Sequence, residues 1–265
     1  MFFNRDGKAG AVRKELQDVE RKEKKLYQVA LKAKPAQWKQ MLTVNIPAKA
    51  YSGLESAFEK GFSLVFQQGR SVIEKSYHKK DIQGDYAVRD YAVQVKGRRK
   101  DLKQLRKFAE KRDRMNLAAT TLEGIGLGAL GVGMPDIVLF LGTLLKGVYE
   151  TALAYGFAYE SRQEQLLILK MMETALTTGE DWARKNREVD EMLILETPEI
   201  SDEAFLAQLR NTSKAFAMDM LILKFIQGIP LVGVLGGAAN PVYYNKVMQY
   251  VKLKYRKRYL LNQEL

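Results

Sequence analysis

Residues 123–140, EGIGLGALGVGMPDIVLF, limit this chain more than any other stretch. Glycine or proline fills six of the eighteen positions, and Asp136 stands alone among apolar side chains. A transmembrane helix is the first reading to test, and chemistry opposes it. Asp136 would lie near mid-bilayer at a cost of roughly 2.5 to 3.5 kcal/mol, and Pro135 would break the hydrogen-bond ladder beside it. A phosphate loop fails as well. GIGLGALG follows no strand, and no Gly-Lys-Ser/Thr comes after it. Glycines four apart, Gly124 and Gly128, suit close helix packing instead.

A second run, FIQGIPLVGVLGGAANPVYY (225–244), repeats the pattern with Gly233 and Gly237 four apart. Each run ends in a proline suited to the first turn of a new helix: Pro135 next to Asp136, and Pro241 behind the candidate N-cap Asn240. The second run is also bounded by Lys224 and Gln227, so it falls short of the ~20 apolar residues that a span needs. Both runs read as helix, tight apolar turn, helix.

Elsewhere helical periodicity dominates, and no alternating strand pattern runs beyond a few residues. Leu54, Phe58, Phe62, Val65 and Val72 share one helix face. Leu102, Leu105, Phe108 and Ala109 form another beneath a basic surface. Ser161 and Glu164 make a candidate capping box, with Gly179 as the expected end of that helix. Ser201 before DEAFLAQL is a further N-cap, and ILETPEIS is the clearest linker. The expected fold class is all-α: a helical bundle with two central apolar Gly/Pro-rich helical hairpins packed on each other. The expected organisation is one compact unit in which an N-terminal charged helical region, 1–95, lies outside a helical domain, 96–265.

The net charge of +12 lies in the N-terminal half, where residues 1–114 carry 28 Lys/Arg against 14 Asp/Glu. Residues 225–265 repeat the bias with six basic residues and one acidic. Two runs stand out, KGRRKDLKQLRKFAEKRDR (96–114) and KLKYRKRY (252–259). Such runs suit a polyanion. The candidate membrane-binding residues are Arg98, Arg99, Lys100, Lys103, Lys252, Lys254, Arg256, Lys257 and Arg258. Tyr243, Tyr244, Tyr250, Tyr255 and Tyr259 interleave with the second run, as in a helix at a lipid headgroup boundary or one packed on the bundle. No helix-turn-helix, RRM or zinc motif supports specific nucleic-acid binding.

Cysteine is absent and histidine occurs once, as His78, so thiolate zinc sites and multi-histidine metal centres are excluded, and no Ser-His-acid triad is proposed. No metal, cofactor or catalytic residue is assigned. His78, in SYHKKD, reads as an exposed helix end. The start, MFFNRDGKAG, lacks the apolar stretch of a secretory signal, which leads us to expect a cytoplasmic protein, peripheral at the inner membrane.

Three segments in this order, EGIGLGALGVGMPDIVLFL (123–141), ALAYGFAYESR (152–162) and GIPLVGVLGGAANPVY (228–243), resemble the EcsC protein family. The resemblance covers roughly residues 100–260. It implies a bacterial protein of a family whose naming member is encoded beside an ABC transporter. Where the family pattern leads to Asp-Ile-Pro, this chain has Pro135-Asp136-Ile137, so no role is carried over to Asp136.

Polar groups inside apolar helices tend to be paired or functional. Glu123, Asp136, Tyr155, Asp219, Lys224 and Asn240 form the candidate buried polar cluster, with Arg162 beside it. Glu123 and Lys224 are the expected buried pair. Asp219 and Lys224, five apart, should have separate partners. Two functions follow. One is a non-catalytic protein docking on an anionic membrane face or a membrane complex such as a transporter; the other is an enzyme using Glu123, Asp136 and Tyr155 on a lipid-like substrate.

Overall fold

The computed structural model describes residues 5–32, 48–118, 135–195, 199–227 and 240–264. Every regular element among them is helical: α1 (Arg5–Lys32), α2 (Ala48–Leu64), a π-helical turn (Val65–Gly69), α3 (Arg70–Lys75), α4 (Lys79–Lys96), α5 (Arg99–Ala118), α6 (Pro135–Ala154), α7 (Arg162–Leu176), α8 (Glu180–Ile194), α9 (Asp202–Gln227) and α10 (Asn240–Leu261). The fold is all-α. The central turns of both glycine-rich runs lie outside the described residues.

The helices that open at the two prolines, α6 and α10, pack against each other. Gly147 sits at their contact: a β-carbon there would lie 3.1 Å from the Tyr244 ring and 3.3 Å from the Met248 sulfur. Residues 137–154 of α6 are long and apolar enough to cross a membrane, and 89% of that stretch is buried inside the fold. Lys146 and Glu150 are buried with it. In this structure α6 is the core helix of a bundle, enclosed by α2, α4, α5 and α10.

The expected apolar faces form as their spacing dictates. Leu54, Phe58, Phe62 and Val65 are buried, and Phe58 and Phe62 pack on Phe216 of α9 with ring centroids 5.3 and 5.5 Å away. Leu102, Leu105 and Ala109 are buried beneath the basic surface of α5. Ser161 caps α7 by accepting the Glu164 N–H at 3.1 Å, and Ser201 caps α9 by accepting that of Ala204 at 3.2 Å. Gly179 departs from expectation. Helix α7 already stops at Leu176, where Thr177 turns extended, and Gly179 precedes α8 instead. Its N–H donates to the Ala30 carbonyl at 3.0 Å, tying this turn to the end of α1.

Helix α10 holds the main correction. Its basic run belongs to the interior. Lys254 is 0% exposed and pairs with Glu23 and with Asp190, the latter at 2.5 Å. Arg256 donates to the carboxylates of Glu15 at 2.6 Å and Asp18 at 2.8 Å. Lys257 reaches Glu23 at 3.0 Å and Asp190 at 2.9 Å, and Arg258 reaches Glu164 at 2.7 Å. The run does not form a free cationic face, because acids from α1, α7 and α8 neutralise it. The tyrosines share this interior. Tyr255 donates to Glu164 at 2.7 Å, Tyr250 to Asn186 at 2.8 Å, and Tyr259 to Asp90 at 2.7 Å. A helix packed on the bundle accounts for them.

Helix α1, expected outside, is therefore part of the packed structure, with Val12, Glu15 and Val19 buried along one side. Arg99 of α5 also donates to Glu15 at 2.7 Å. Burial would raise the Glu15 carboxyl, but the bond from Arg99 and the charge of Arg256 hold it below its ordinary value. Asp18 is held well below its own by Arg256 and Lys22, again against burial.

Removing one member of such a network leaves the others buried and uncompensated. Glu15→Gln is expected to lower the unfolding free energy by about 3 kcal/mol, read as a shift of the urea midpoint. Acid should act through the same residues. Both carboxyls have depressed folded pKa values, so their stabilisation is complete above the unfolded values near ~4 and fades as pH falls below them. Thermal scans between roughly pH 7 and pH 3 should show the wild-type melting temperature falling below about pH 4, with a smaller fall in Glu15→Gln.

Candidate functional site

The proposed polar cluster is not assembled among the described residues. Glu123 lies outside them, and so does any Glu123–Lys224 pair. Asp136 belongs to the first turn of α6, Lys224 to α9, and Asn240 is the first residue of α10. Their side chains are outside the description. Asp219 does have a partner other than Lys224: Lys246 of α10 contacts its two carboxylate oxygens at 2.9 and 3.0 Å. The Asp219 carbonyl also accepts from Tyr243 at 3.0 Å. Arg162 pairs with Asp202 and lies 3.7 Å over the Phe205 ring. His78 is exposed and begins α4, as its setting implied.

Tyr155 occupies a distinct place. Helix α6 ends at Ala154, where the Gly156 N–H bonds the Leu153 carbonyl at 3.0 Å and the Phe157 N–H bonds the Ala152 carbonyl at 2.9 Å. This Schellman closure needs a left-handed residue, and Gly156 supplies it with φ of +83°. Tyr86 of α4 packs directly on Gly156, leaving no room for a β-carbon. The turn fixes Tyr155 at 3% exposure, facing α1, α5 and α10.

There it borders a cavity of about 570 Å³ that opens to solvent. Leu26 of α1 and Leu253 of α10 supply apolar wall, and Glu110 of α5 adds one carboxylate. The cations are Lys22 and Lys25 of α1 with Lys252 and Arg256 of α10. Arg256 is committed to Glu15 and Asp18, and Lys22 lies 3.3 Å from Asp18. Lys25 forms no ion pair among the described residues. Burial pushes the Tyr155 phenol well above its ordinary pKa, against the pull of Arg256, so the group is a proton donor at neutral pH. Sequence reasoning singled out Tyr155 and missed its surroundings. The signal it could have used is Lys22, Leu26 and Val29, spaced so that α1 turns one face toward the cavity.

The basic run 96–114 divides in two. Arg98 donates to Asp101 at 3.0 Å and Arg99 to Glu15 at 2.7 Å. Lys100, Lys103, Lys107 and Lys111 recur at helical spacing along the outer face of α5, and make no ion pair among the described residues. On the preceding helix, Val88 and Tyr91 are each 70% exposed and Val95 is 38% exposed, in an apolar stripe at i, i+3, i+7 on the side of α4 away from the core.

The sequence profile of the EcsC protein family matches residues 11–260. This chain belongs to the EcsC protein family. The match takes in α1 as well as the glycine-rich segments, and agrees with the packing of α1 into the bundle. No curated protein and no solved structure matches the chain.

The Tyr155 turn depends on its glycine. Gly156→Ala is expected to cost about 1 to 2 kcal/mol for the left-handed backbone, and more for displacing Tyr86. A lowered melting temperature with near-native helical circular dichroism is the expected reading.

Proposed function

We propose that this EcsC-family protein is a non-catalytic peripheral membrane protein that docks on an anionic bilayer at the cytoplasmic face of the inner membrane. One observation carries the reading: the outer side of α4 bears an apolar stripe, and that of the next helix, α5, a row of lysines that make no ion pair among the described residues. Val88, Tyr91 and Val95 are large apolar side chains left in water, and Lys96 at the end of α4 and Lys100, Lys107 and Lys111 of α5 are exposed too. Shallow insertion of apolar side chains with lysines at the headgroups is how an interfacial helix binds. Each such cation is worth about 1 kcal/mol near an anionic surface, screened over about 8 Å at physiological salt. Residues 252–258 leave the proposed contact, since most of their charge is spent inside the fold.

Co-sedimentation with vesicles of phosphatidylcholine, with and without phosphatidylserine, at low and high salt tests this. Binding should require the anionic lipid and weaken with salt. Replacing Lys100, Lys103, Lys107 and Lys111 together by glutamine should lower the partition coefficient by about a hundredfold or more, with helical content unchanged. Tyr91→Ser should weaken binding at every salt concentration. Binding indifferent to lipid charge and salt would remove this mechanism, and no binding would leave docking to a membrane protein in its place.

A further inference from the structure

The cavity beside Tyr155 lies on α1 and α10, apart from the membrane face proposed above, and its chemistry is mixed in a way that packing does not require. Among the described residues the Tyr155 hydroxyl has no hydrogen-bond partner, although the side chain is 3% exposed. No protein acceptor among them claims this hydroxyl, at the edge of a cavity open to solvent. Of the other buried tyrosines, Tyr250, Tyr255 and Tyr259 donate to an acceptor, while the hydroxyl of Tyr149 is enclosed in the core without one among the described residues. Tyr155 instead borders an open cavity whose cations outnumber its single carboxylate, Glu110, itself 3.6 Å from Arg106. Leu253 and Leu26 give the same cavity an apolar wall, and Val29 extends it to the mouth at 66% exposure.

We infer that this cavity binds a single-chain anionic amphiphile, an alkyl phosphate or alkyl carboxylate. The headgroup accepts from the Tyr155 hydroxyl and meets Lys25, while the chain lies along Leu26, Val29 and Leu253. Each part answers one feature. An anion accepts from the phenol at the cavity edge and meets Lys25, which forms no ion pair among the described residues. An alkyl chain covers the exposed apolar wall. At about 570 Å³ the cavity falls within the range for small-molecule sites and takes one short chain. The phenol stays protonated at neutral pH, as burial requires, and so serves as a fixed donor. No bond is made or broken.

Calorimetric titration of the full-length protein with octyl phosphate and with decanoate, both below their micelle concentrations, tests the inference without any bilayer. Inorganic phosphate and octyl glucoside are the controls. At least one of the two amphiphiles should bind at one site per chain, at least tenfold more tightly than inorganic phosphate, and octyl glucoside should give no saturable heat. The tighter of the two identifies the headgroup. Lys25→Gln, a change at an exposed side chain, and Tyr155→Phe should each weaken binding by about tenfold with unchanged circular dichroism. Equal binding of inorganic phosphate would reduce the cavity to an anion site. Equal binding of octyl glucoside would reduce it to an apolar one. Either result, no binding, or affinity unmoved by both substitutions overturns the inference, and none of them bears on vesicle docking through α4 and α5.

Discussion

The clasp between α1 and α10 is the constraint on which the rest of the bundle depends. Helix α10 carries Lys254, Arg256 and Lys257 into the interior, and each would be very costly there alone. Glu15, Asp18 and Glu23, spaced along one side of α1, supply most of the opposite charge. Asp190 of α8 and Glu164 of α7 supply the remainder. The pairs join residues more than 230 positions apart in sequence, so neither chain end can complete its burial without the other. Ion pairs of this kind add less stability than their number suggests, because desolvation offsets attraction. They do fix which helix lies against which, and at what height.

That clasp also sorts the charge of the molecule into interior and surface. Two basic runs of similar composition enter the fold and meet different fates. The run on α10 is consumed by acids from three other helices. The run on α5 spends Arg98 and Arg99 on Asp101 and Glu15 and keeps a row of lysines outside. The two runs therefore differ: the one on α5 keeps exposed lysines, while no cation of the α10 run is exposed. The cavity at Tyr155 borders the same clasp: Arg256 faces it while holding Glu15 and Asp18, so the network that joins α1 to α10 also sets the potential inside the cavity. The proposed docking face and the cavity are separate features, one on the outer side of α4 and α5 and the other between α1 and α10.

Much of the architecture was legible in the sequence, for local reasons. Period 3.6 placed Phe58 and Phe62 on a buried face, Ser161 and Ser201 announced helix starts, and Pro135 and Asn240 stand where α6 and α10 begin. Each rests on steric or hydrogen-bonding rules that act within one turn. Gly179 misled because glycine at a helix end and glycine before a helix start use the same conformational freedom, and its bond to the Ala30 carbonyl is a tertiary event. Tyr155 could be flagged as polar among apolar neighbours. That its hydroxyl would face a cavity could not, since α1 and α10, which form most of the wall, come from opposite ends of the chain.

The sequence by itself determined the helical class, the positions of most helix starts, the absence of thiol and multi-histidine chemistry, and the membership in the EcsC family. Tertiary structure alone decided the standing of each charge. A lysine in KLKYRKRY and a lysine in KDLKQLRK have the same intrinsic pKa and the same helical setting, and nothing within several residues distinguishes them. What separates Lys254 from Lys107 is whether a carboxylate from a distant helix meets it inside the bundle. That depends on how the helices pack, because a charge leaves water only where its counter-charge is already in place.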